Sequence, residues 1–359
     1  MRFIHTADLH IGARPDADRP WGPLRADALR RSLEGFVDLC NQEEADLLLI
    51  AGDLFHRPPT SAQLKEADYQ FSRLKKTRVV MIAGNHDFLR PGCAYSQHRF
   101  PEHVHLIRES FPVTLAFPDL GLDISGFSYD GEIRRDNPLE GFAPPRSGLR
   151  HFLLLHGGDR DHVPFSLSGL RSAGWDYIAL GHIHKPALNQ GAKAAMPGSP
   201  EALDKTETGA HGFYLGNMDE KGLSLDWREF SRFSYTELTI NITPETTLGS
   251  LEALLRKRMK QDGSEVYRLQ LKGRRDPGLL FDAEALLRLG PVSDVRDETL
   301  PDYDWEAFGQ RPPQDLIRRT LTALAPQEDG PEDPLRQKAL YYALDALLAS
   351  EKKTQEVLR

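Results

Sequence analysis

Five short clusters of Asp, Asn and His, each placed after a run of apolar residues, constrain the fold of this chain more than any other feature. The runs are rich in β-branched and other apolar residues, as the buried strands of α/β proteins are. The runs are Arg2–His5, Leu47–Ala51, Val79–Ala83, Phe152–Leu155 and Tyr177–Leu180. The clusters after them are Asp8-Leu9-His10, Gly52-Asp53-Leu54-Phe55-His56, Gly84-Asn85-His86-Asp87, His156-Gly157-Gly158 and Gly181-His182-Ile183-His184. Because ligands bind beyond the carboxyl ends of such strands, the sequence predicts a sheet rim lined with these polar side chains.

Oxygen and imidazole donors gathered on one rim are the ligands that a pair of divalent cations requires. A single His after a strand is usually a surface residue, and a single Asp before a helix usually caps that helix. Repetition at five strand ends favours a metal centre over these structural roles. We therefore expect a dinuclear metallohydrolase. The candidate ligands are Asp8, His10, Asp53, Asn85, His156, His182 and His184.

The donor types indicate how such a centre would work. A carboxylate can bind two cations at once, which makes Asp53 the candidate shared ligand, and Asn85 offers a neutral amide oxygen. The clusters contain no cysteine, so a structural zinc site is disfavoured and Mn²⁺, Fe²⁺ or Zn²⁺ in a catalytic role is favoured. Two such cations activate a water and neutralise charge on a phosphate.

His86 and Asp87 follow the candidate ligand Asn85 and are the candidate catalytic residues of the third cluster. His86 is not needed as a ligand, so it is free either to protonate the leaving alkoxide or to bind the phosphate. Asp87 has two open interpretations: it orients the imidazole of His86, or it caps a following helix.

The net charge and the cysteine content restrict the possible functions only weakly. The net charge of −8 argues against a nucleic-acid substrate, but residues 276–359 hold 17 acidic against 10 basic residues, so the preceding part is nearly neutral. Cys40 and Cys93 fit a reducing compartment, and no apolar run is long enough for a membrane span. The first strand begins too early for a leader before Asp8. We expect a cytoplasmic protein.

The pattern of apolar residues predicts an α/β fold for residues 1–232, built as a two-sheet sandwich flanked by helices. Helices are expected at Pro23–Asn41 and Ala62–Lys76, and a long surface loop at Gly131–Arg150. On the first helix, one apolar face is expected to contain Leu24, Leu29, Leu33, Phe36 and Val37.

After the catalytic part, residues 233–300 are expected to form a small α+β capping domain with a β-α-β-α order. Its expected elements are Tyr235–Ile242, Leu248–Lys260, Val266–Leu271 and Ala283–Leu289. Residues 301–359 are expected to hold two amphipathic helices, Pro313–Leu324 and Pro334–Leu348, joined by an acidic linker at Ala325–Pro334. Their apolar stripes suit either a partner or an internal core.

Several of these clusters together resemble a known family. Thr6-Ala7-Asp8-Leu9-His10-Ile11-Gly12 and Gly52-Asp53-Leu54-Phe55-His56 resemble the SbcD nuclease family within the calcineurin-like metallophosphoesterases. Gly84-Asn85-His86-Asp87, Gly181-His182-Ile183-His184 and Pro197-Gly198-Ser199-Pro200 strengthen the resemblance. Phe55-His56 is the more selective feature, because the Ser/Thr phosphatases carry an Asp three residues after the shared Asp. The resemblance covers residues 1–230 strongly and the cap weakly.

The resemblance implies a manganese-dependent exonuclease and endonuclease that acts on DNA ends in repair and recombination. It implies that one ion is held by Asp8, His10, Asp53 and His184. It implies that the other ion is held by Asp53, Asn85, His156 and His182. His56 would stand near His86 and help handle the phosphate or the strand end.

The resemblance also implies partners. The family's cap, here Tyr235–Gly290, would contact DNA, and an SMC-like ATPase with a long coiled coil, SbcC, would bind through helices after the cap. A homodimer built from helices at the start of the catalytic domain is implied as well. Leu24–Val37 could serve, although these residues also suffice to cover the sheet. Arg14, Arg57 and Arg90 follow the first three clusters and are candidates to hold a DNA backbone.

Two other functions remain open at this stage. A phosphodiesterase or phosphatase for small substrates, from the same superfamily, would use identical metals and differ only in the surface that approaches the substrate. A non-catalytic scaffold that kept the fold is disfavoured, because such proteins usually lose ligands and none of the seven is missing.

Overall fold

The computed structural model describes residues 1–260, 262–324 and 333–357, which divide into two compact units. The first unit contains Met1–Thr236 and a short segment that ends at Val266. The second unit contains Glu237–Lys260 and the chain from Tyr267 onward.

The first unit contains two six-stranded mixed sheets. The first sheet has the order β12-β11-β1-β2-β3-β4. Its strands are β1 (Arg2–Thr6), β2 (Leu47–Ala51), β3 (Arg78–Ile82), β4 (Val104–Ile107), β11 (Gly212–Asp219) and β12 (Gly222–Glu229). The strands β1 to β4 run parallel to one another, and β11 and β12 are antiparallel additions at one edge.

The second sheet has the order β5-β6-β7-β8-β10-β9. Its strands are β5 (Val113–Phe117), β6 (Leu122–Gly126), β7 (Arg150–His156), β8 (Tyr177–Gly181), β9 (Ala187–Asn189) and β10 (Ala194–Met196). The central strands β6, β7, β8 and β10 are parallel, whereas β5 and β9 are antiparallel edges. The predicted α/β two-sheet fold with flanking helices is confirmed.

The core between the sheets follows from the two-residue period of a strand. In β1, Phe3 packs between the sheets against Phe152 and Tyr177, and its ring centroid is 5.2 Å from each of theirs. The next residue, Ile4, faces the opposite side, where it joins a second core with Leu33. Both faces of the parallel strands are therefore buried, which is why their sequences are continuously apolar.

Two helices cover the outer face of the first sheet: α1 (Gly22–Gln42) and α2 (Ser61–Ser72). The second begins at Thr60 with a capping box to Gln63. It ends four residues before the predicted Lys76, because the side chain of Asn41 accepts from Lys75 N and donates to Arg73 O. These bonds satisfy backbone groups that a longer helix would use internally.

Two further helices of the first unit are short, α3 (Ala94–Gln97) and α4 (Leu167–Ser172), and the sequence analysis did not predict them. The expected loop at 131–150 contains no helix and no named strand before β7 begins at Arg150. Among the residues described, this loop forms one isolated β-bridge, between Arg134 and His162.

The second unit begins within β13 (Ser234–Ile242) and continues through α5 (Leu248–Arg258), β14 (Glu265–Arg275), α6 (Ala283–Leu287), β15 (Val292–Asp297) and β16 (Leu300–Pro301). The expected β-α-β-α order is thus extended by β15, which pairs parallel to β14. β15 was not predicted from the sequence because Asp294, Arg296 and Asp297 interrupt its apolar pattern.

Three helices follow: α7 (Trp305–Gly309), α8 (Leu316–Leu324) and α9 (Pro334–Val357). Both predicted amphipathic segments are helical, and Ile317, Leu340 and Leu344 meet in one buried cluster. The expected linker at Ala325–Pro334 lies outside the described residues, except for its last two positions. Within the described ranges, no helix combines the length and the apolar character needed to cross a bilayer.

Candidate metal centre

The loops after β1, β2 and β3 and after β7 and β8 converge on one rim, and this brings all seven candidate ligands together. Backbone bonds tie the loops: Asp8 N donates to Gly52 O at 3.1 Å, and His10 N donates to Asp53 O at 3.0 Å. From the second sheet, His156 Nδ1–H donates to Ala51 O at 2.8 Å. The rim that the sequence predicts is therefore present.

Asp53 lies at the middle of this cluster. Its Oδ2 is 3.7 Å from His10 Nε2 and 3.4 Å from His156 Nε2, so one carboxylate oxygen faces two imidazoles that belong to different sides of the centre. Its Oδ1 accepts from His86 N at 2.9 Å. The side chain is almost fully buried. This placement suits a ligand shared by two ions.

The remaining donors form one group on each side of Asp53. On one side, His10 Nε2 and His184 Nε2 are 3.1 Å apart, and Asp8 Oδ1 is 3.9 Å from His184 Nε2. The donor atoms of Asp8, His10 and His184 all lie within 4.8 Å of one another.

On the other side, Asn85 Oδ1 is 2.9 Å from His156 Nε2 and 3.2 Å from His182 Nδ1. The donor atoms of Asp8, Asp53 and His156 also lie within 4.8 Å of one another, so the two groups adjoin. Imidazole nitrogens and hard oxygens that converge in this way fit borderline divalent cations.

The backbone at this rim is strained. Asp8, His10 and Asp53 have φ values of 56°, 46° and 52°, in the left-handed region, and His182 has a φ of 101°. Each such conformation costs on the order of 1–3 kcal/mol and persists only where the surroundings impose it. Four of the seven candidate ligands carry this cost, which is typical of functional sites.

Glycines allow the close approach of these loops. A Cβ atom at Gly52 would collide with the His156 ring, and one at Gly84 would collide with the Asp53 carboxylate. The φ of Gly52 is also +91°, a conformation that favours glycine. The Gly-Asp and Gly-Asn pairs of the sequence are therefore steric requirements of the centre.

Electrostatic effects set the protonation of the centre before any cation binds. Burial would lower the pKa of His156, but the adjacent Asp53 carboxylate raises it to about 9. Burial is likewise outweighed at His184, where a bond to Glu207 and the charge of Asp8 raise the pKa to about 9. Burial would raise the pKa of Asp53, but His156 and His10 hold it below its ordinary value. Before a cation binds, the imidazoles of His156 and His184 therefore hold protons on nitrogen atoms that would bind the cations.

Three other ligands respond mainly to burial. Burial raises the pKa of Asp8 above its ordinary value, and it lowers the pKa of His10 well below its own. Burial and the charge of His156 lower the pKa of His182 to about 4. His10 and His182 are consequently neutral at pH 7 and present a lone pair, which is the form that binds metals.

His56 and His86 lie together beside His10 on the open side of the centre. The rings of His56 and His86 are stacked with centroids 5.3 Å apart, and the His86 ring is 4.8 Å from that of His10. His86 Nδ1–H donates to His56 O at 3.3 Å. His86 is exposed and His56 is half-buried. The expected neighbourhood of these two residues is thus observed.

Asp87 lies differently from either expectation. Its buried carboxylate accepts from Gly84 N at 2.7 Å and from Phe55 N at 3.1 Å. No hydrogen bond or ion pair joins it to the ring of His86 in the described part of the chain, and no helix begins at this point. Asp87 therefore ties the second cluster to the third, and neither the expected bond to His86 nor the expected helix cap is observed among the described residues. Its expected catalytic role stays a prediction.

Three residues that contact candidate ligands were missed by the sequence analysis. Glu207 Oε1 accepts from His184 Nδ1–H at 2.6 Å, and Asp159 Oδ2 accepts from His182 Nε2–H at 2.7 Å. The ring centroid of His162 lies 4.5 Å from that of His182. Asp159 lies three residues after His156, which was its only signal in the sequence.

Of the candidate DNA-contacting residues, Arg14, Arg57 and Arg90 are all exposed. Arg14 lines a groove with Arg30 and Gln63 and does not lie in the metal cluster. Arg57 and Arg90 lie in the loops that carry His56 and His86. All three can reach a ligand that approaches from solvent.

Arg25, a further basic residue near the first cluster, is buried and donates to Ala202 O. Its guanidinium lies 4.7 Å from the ring centroid of Tyr235. Leu24, expected on the buried face of α1, is 55% exposed. Arg25 takes the place of Leu24 in the packing, because its charge is offset by the carbonyl and by aromatic rings.

Glu201 is a buried carboxyl near Arg25, and we predict that it makes the stability of the protein depend on pH. Burial raises its pKa from 4.5 to about 7, while Oε1 accepts from Arg232 N at 2.9 Å. Stability from this group is complete below about pH 4.5 and is lost as the pH rises through 7. Glu201→Gln keeps the acceptor oxygen and cannot ionise.

Between pH 5 and pH 8.5, the unfolding free energy of Glu201→Gln relative to the unsubstituted protein should therefore rise by about 2.5 kcal/mol. Denaturant unfolding of both proteins in chelator measures this difference. Glu229→Gln, on the edge strand β12, is a control for the loss of one exposed charge. A difference that is the same at both pH values would contradict the prediction.

Comparisons with known proteins agree with this geometry. The model of the calcineurin-like phosphoesterase family matches residues 1–186. The uncharacterized metallophosphoesterase YhaO of Bacillus subtilis is 28% identical over 298 residues, which cover 76% of this chain and 72% of YhaO. The DNA double-strand break repair protein Mre11 of Methanopyrus kandleri is 29% identical over 253 residues, 62% of this chain and 55% of that protein.

A third relative is the SbcD component of the SbcCD nuclease of Bacillus subtilis, which is 26% identical over 254 residues. The match covers 58% of this chain and 64% of that protein. The chain thus spans less than two thirds of the length of these last two relatives. The resemblance noted from the motifs is confirmed at the level of the phosphoesterase family, and the narrower assignment to SbcD is not established by these similarities.

Proposed function

Because the chain belongs to the calcineurin-like phosphoesterase family, we propose that it is a metal-dependent nuclease that hydrolyses phosphodiester bonds at DNA ends. The observation that carries the proposal is the position of Asp53. One of its carboxylate oxygens faces His10 and His156, and the other accepts from the backbone of His86. The Asp53 carboxylate is thereby positioned as the shared ligand. It also holds the backbone of His86, whose imidazole is not a candidate ligand.

The two groups of donors would each hold one divalent cation, and Mn²⁺ is the ion proposed. One ion would be held by Asp8, His10, Asp53 and His184. The other would be held by Asp53, Asn85, His156 and His182. When bound, such a pair supplies Lewis-acid activation of water and neutralises charge on the phosphate.

The chain's own residues would then handle the proton and the substrate. His86 Nδ1–H is held by the carbonyl oxygen of His56, which leaves its Nε2 free on the exposed side of the ring. When the imidazole is doubly protonated, Nε2–H can give its proton to the leaving alkoxide or donate a hydrogen bond to a phosphate oxygen. Because His86 N donates to Asp53, the backbone of His86 is anchored beside the metal ligands.

Three features favour a DNA end over a small substrate. His56 stands beside His86 at the open rim, where a strand end would enter. The exposed Arg57 and Arg90 lie in the same two loops and can hold phosphates of the backbone. Two relatives are named as a DNA repair protein and a nuclease component. The alternative is a phosphodiesterase or phosphatase for small substrates.

The proposal extends to location and partners. We propose a cytoplasmic protein whose cap, Tyr235–Gly290, contacts DNA. An SMC-like ATPase would bind through α8 and α9, where Leu316 and Leu335 are 60% and 78% exposed. A homodimer through α1 would use the exposed Leu24. These features follow from the resemblance and from exposed apolar side chains.

A substrate panel tests the proposed function. The purified chain is incubated with Mn²⁺ and with linear double-stranded DNA, single-stranded DNA, bis-p-nitrophenyl phosphate or p-nitrophenyl phosphate. We expect cleavage of DNA and of the diester, abolished by chelation, with little turnover of the monoester. Asp8→Asn, purified identically, controls for contaminating nucleases. Hydrolysis of either small ester without any cleavage of DNA would contradict the nuclease assignment and favour a phosphodiesterase or phosphatase for small substrates.

A further inference from the structure

Three of the candidate imidazole ligands have their outward nitrogen bound to an oxygen. His156 Nδ1–H donates to the carbonyl of Ala51. The other two differ, because each donates to a carboxylate: His182 to Asp159 at 2.7 Å and His184 to Glu207 at 2.6 Å. His182 and His184 belong to different sides of the centre, so each side has one histidine–carboxylate pair.

We propose that Asp159 and Glu207 are positioning residues, one for each ion, which fix the tautomers of His182 and His184. The inference rests on the proposed function, since it requires that the centre holds two ions. When His182 Nε2 carries a proton for Asp159, the lone pair is on Nδ1, which faces Asn85. A carboxylate behind a ligating imidazole orients the ring and increases its basicity.

The carboxylate of Asp159 is itself held in place. Its Oδ1 accepts from Asp161 N at 2.8 Å and from His162 N at 2.9 Å, so only Oδ2 is directed at His182. His162 Nδ1 contacts both oxygens, Oδ1 at 2.9 Å and Oδ2 at 3.0 Å. The loop after β7 thus presents one oxygen in a fixed direction.

Glu207 is held in a similar way on the other side. Its Oε2 accepts from Leu203 N at 2.8 Å and lies 3.4 Å from Ser199 Oγ. Its Oε1 is left for His184 Nδ1–H. Ser199 belongs to the Pro197-Gly198-Ser199-Pro200 motif, which therefore supports the metal ligand indirectly through Glu207.

Amide substitutions separate this role from a merely structural one. Asparagine at 159 has a single acceptor oxygen, and the backbone donors of Asp161 and His162 claim it. The amide NH₂ then faces His182 Nε2, which favours the tautomer with the proton on Nδ1, where the ion should bind. Glu207→Gln creates the same conflict between Leu203 N and His184. Asp159→Ala leaves His182 Nε2 to water and does not invert the tautomer.

The test is a calorimetric titration of chelator-treated full-length protein with Mn²⁺. We expect two ions in the unsubstituted chain and, in both Asp159→Asn and Glu207→Gln, a loss of about 10–100-fold in the affinity of one ion. Asp159→Ala should lose less affinity than Asp159→Asn. DNA cleavage by the amide variants should recover at high Mn²⁺. Asp161→Asn and Asp204→Asn remove one charge from the same two loops and should bind as the unsubstituted chain does.

The opposite order of effects identifies a structural role. If Asp159 only ties its loop, Asp159→Asn should bind Mn²⁺ normally while Asp159→Ala melts at a lower temperature, and this would overturn the inference. If both amide variants bind two ions with unchanged affinities, the positioning role of Asp159 and Glu207 is overturned, whereas the proposed function stands. Failure of the unsubstituted chain to bind two ions would overturn both. A third Mn²⁺, lost only in Asp159→Asn, would show a separate site at Asp159 and likewise contradict the inference.

Discussion

Asp53→Asn should remove tight binding of both ions while leaving the chain folded. One oxygen of the Asp53 carboxylate faces donors of both groups, and a neutral amide can neither neutralise nor bridge two cations. Asparagine tolerates the left-handed φ of 52° at this position and keeps an oxygen for His86 N. We expect DNA cleavage to fall by at least about 10³-fold, because two cations contribute several kcal/mol and about 1.4 kcal/mol is a tenfold change in rate.

Elemental analysis of the variant after gel filtration in Mn²⁺ measures the loss of ions, and thermal unfolding checks the fold. The matched control is Asp46→Asn, which changes a carboxylate directly before β2, at the opposite end of the strand that Asp53 follows. It should retain both ions and full cleavage. Asp53→Ala should also lose both ions, with lower stability, because alanine disfavours the left-handed region. Two tightly bound ions in Asp53→Asn would refute the shared position of Asp53.

The convergence of the seven candidate ligands could be predicted because it follows from strand geometry. Parallel strands place their carboxyl ends at the same edge, so residues that directly follow β1, β2 and β3 must share that edge. The same argument applies to β7 and β8 in the second sheet. The sequence could not show which edge of one sheet faces the other, and the close approach of the loops at Gly52 and Gly84 is seen only in the structure.

The support around the ligands could not be predicted, because it depends on the paths of loops. Glu207 lies 23 residues after His184 and reaches it only because the chain returns past Ser199. The partner of Asp87 could not be predicted for the same reason: Phe55 lies 32 residues earlier, so the local pattern suggested a helix cap or a pair with His86. Arg25 shows the limit of residue-type patterns, since its burial requires Ala202 and Tyr235 as partners.

His86→Ala should keep both ions and lose most DNA cleavage. The contact between residue 86 and the centre is its backbone N–H, which donates to Asp53 and survives the substitution. The lost imidazole lies on the exposed side, 4.8 Å from the ring of His10. Loss of a general acid or of a phosphate contact corresponds to about 10²–10⁴-fold in rate. Manganese content after gel filtration and cleavage of linear DNA measure the two effects, and His105→Ala, on β4, is the control.

The choice of leaving group then separates the two roles that His86 can have. The alkoxide released from DNA needs a proton as it leaves, whereas p-nitrophenolate is stable without one. If His86 is the proton donor, His86→Ala loses its rate on DNA and keeps most of its turnover of bis-p-nitrophenyl phosphate. If His86 binds the phosphate, turnover of both substrates falls together, because both present the same non-bridging oxygens. Unchanged cleavage of both substrates would exclude His86 from the mechanism. Its imidazole would then only pack against His56.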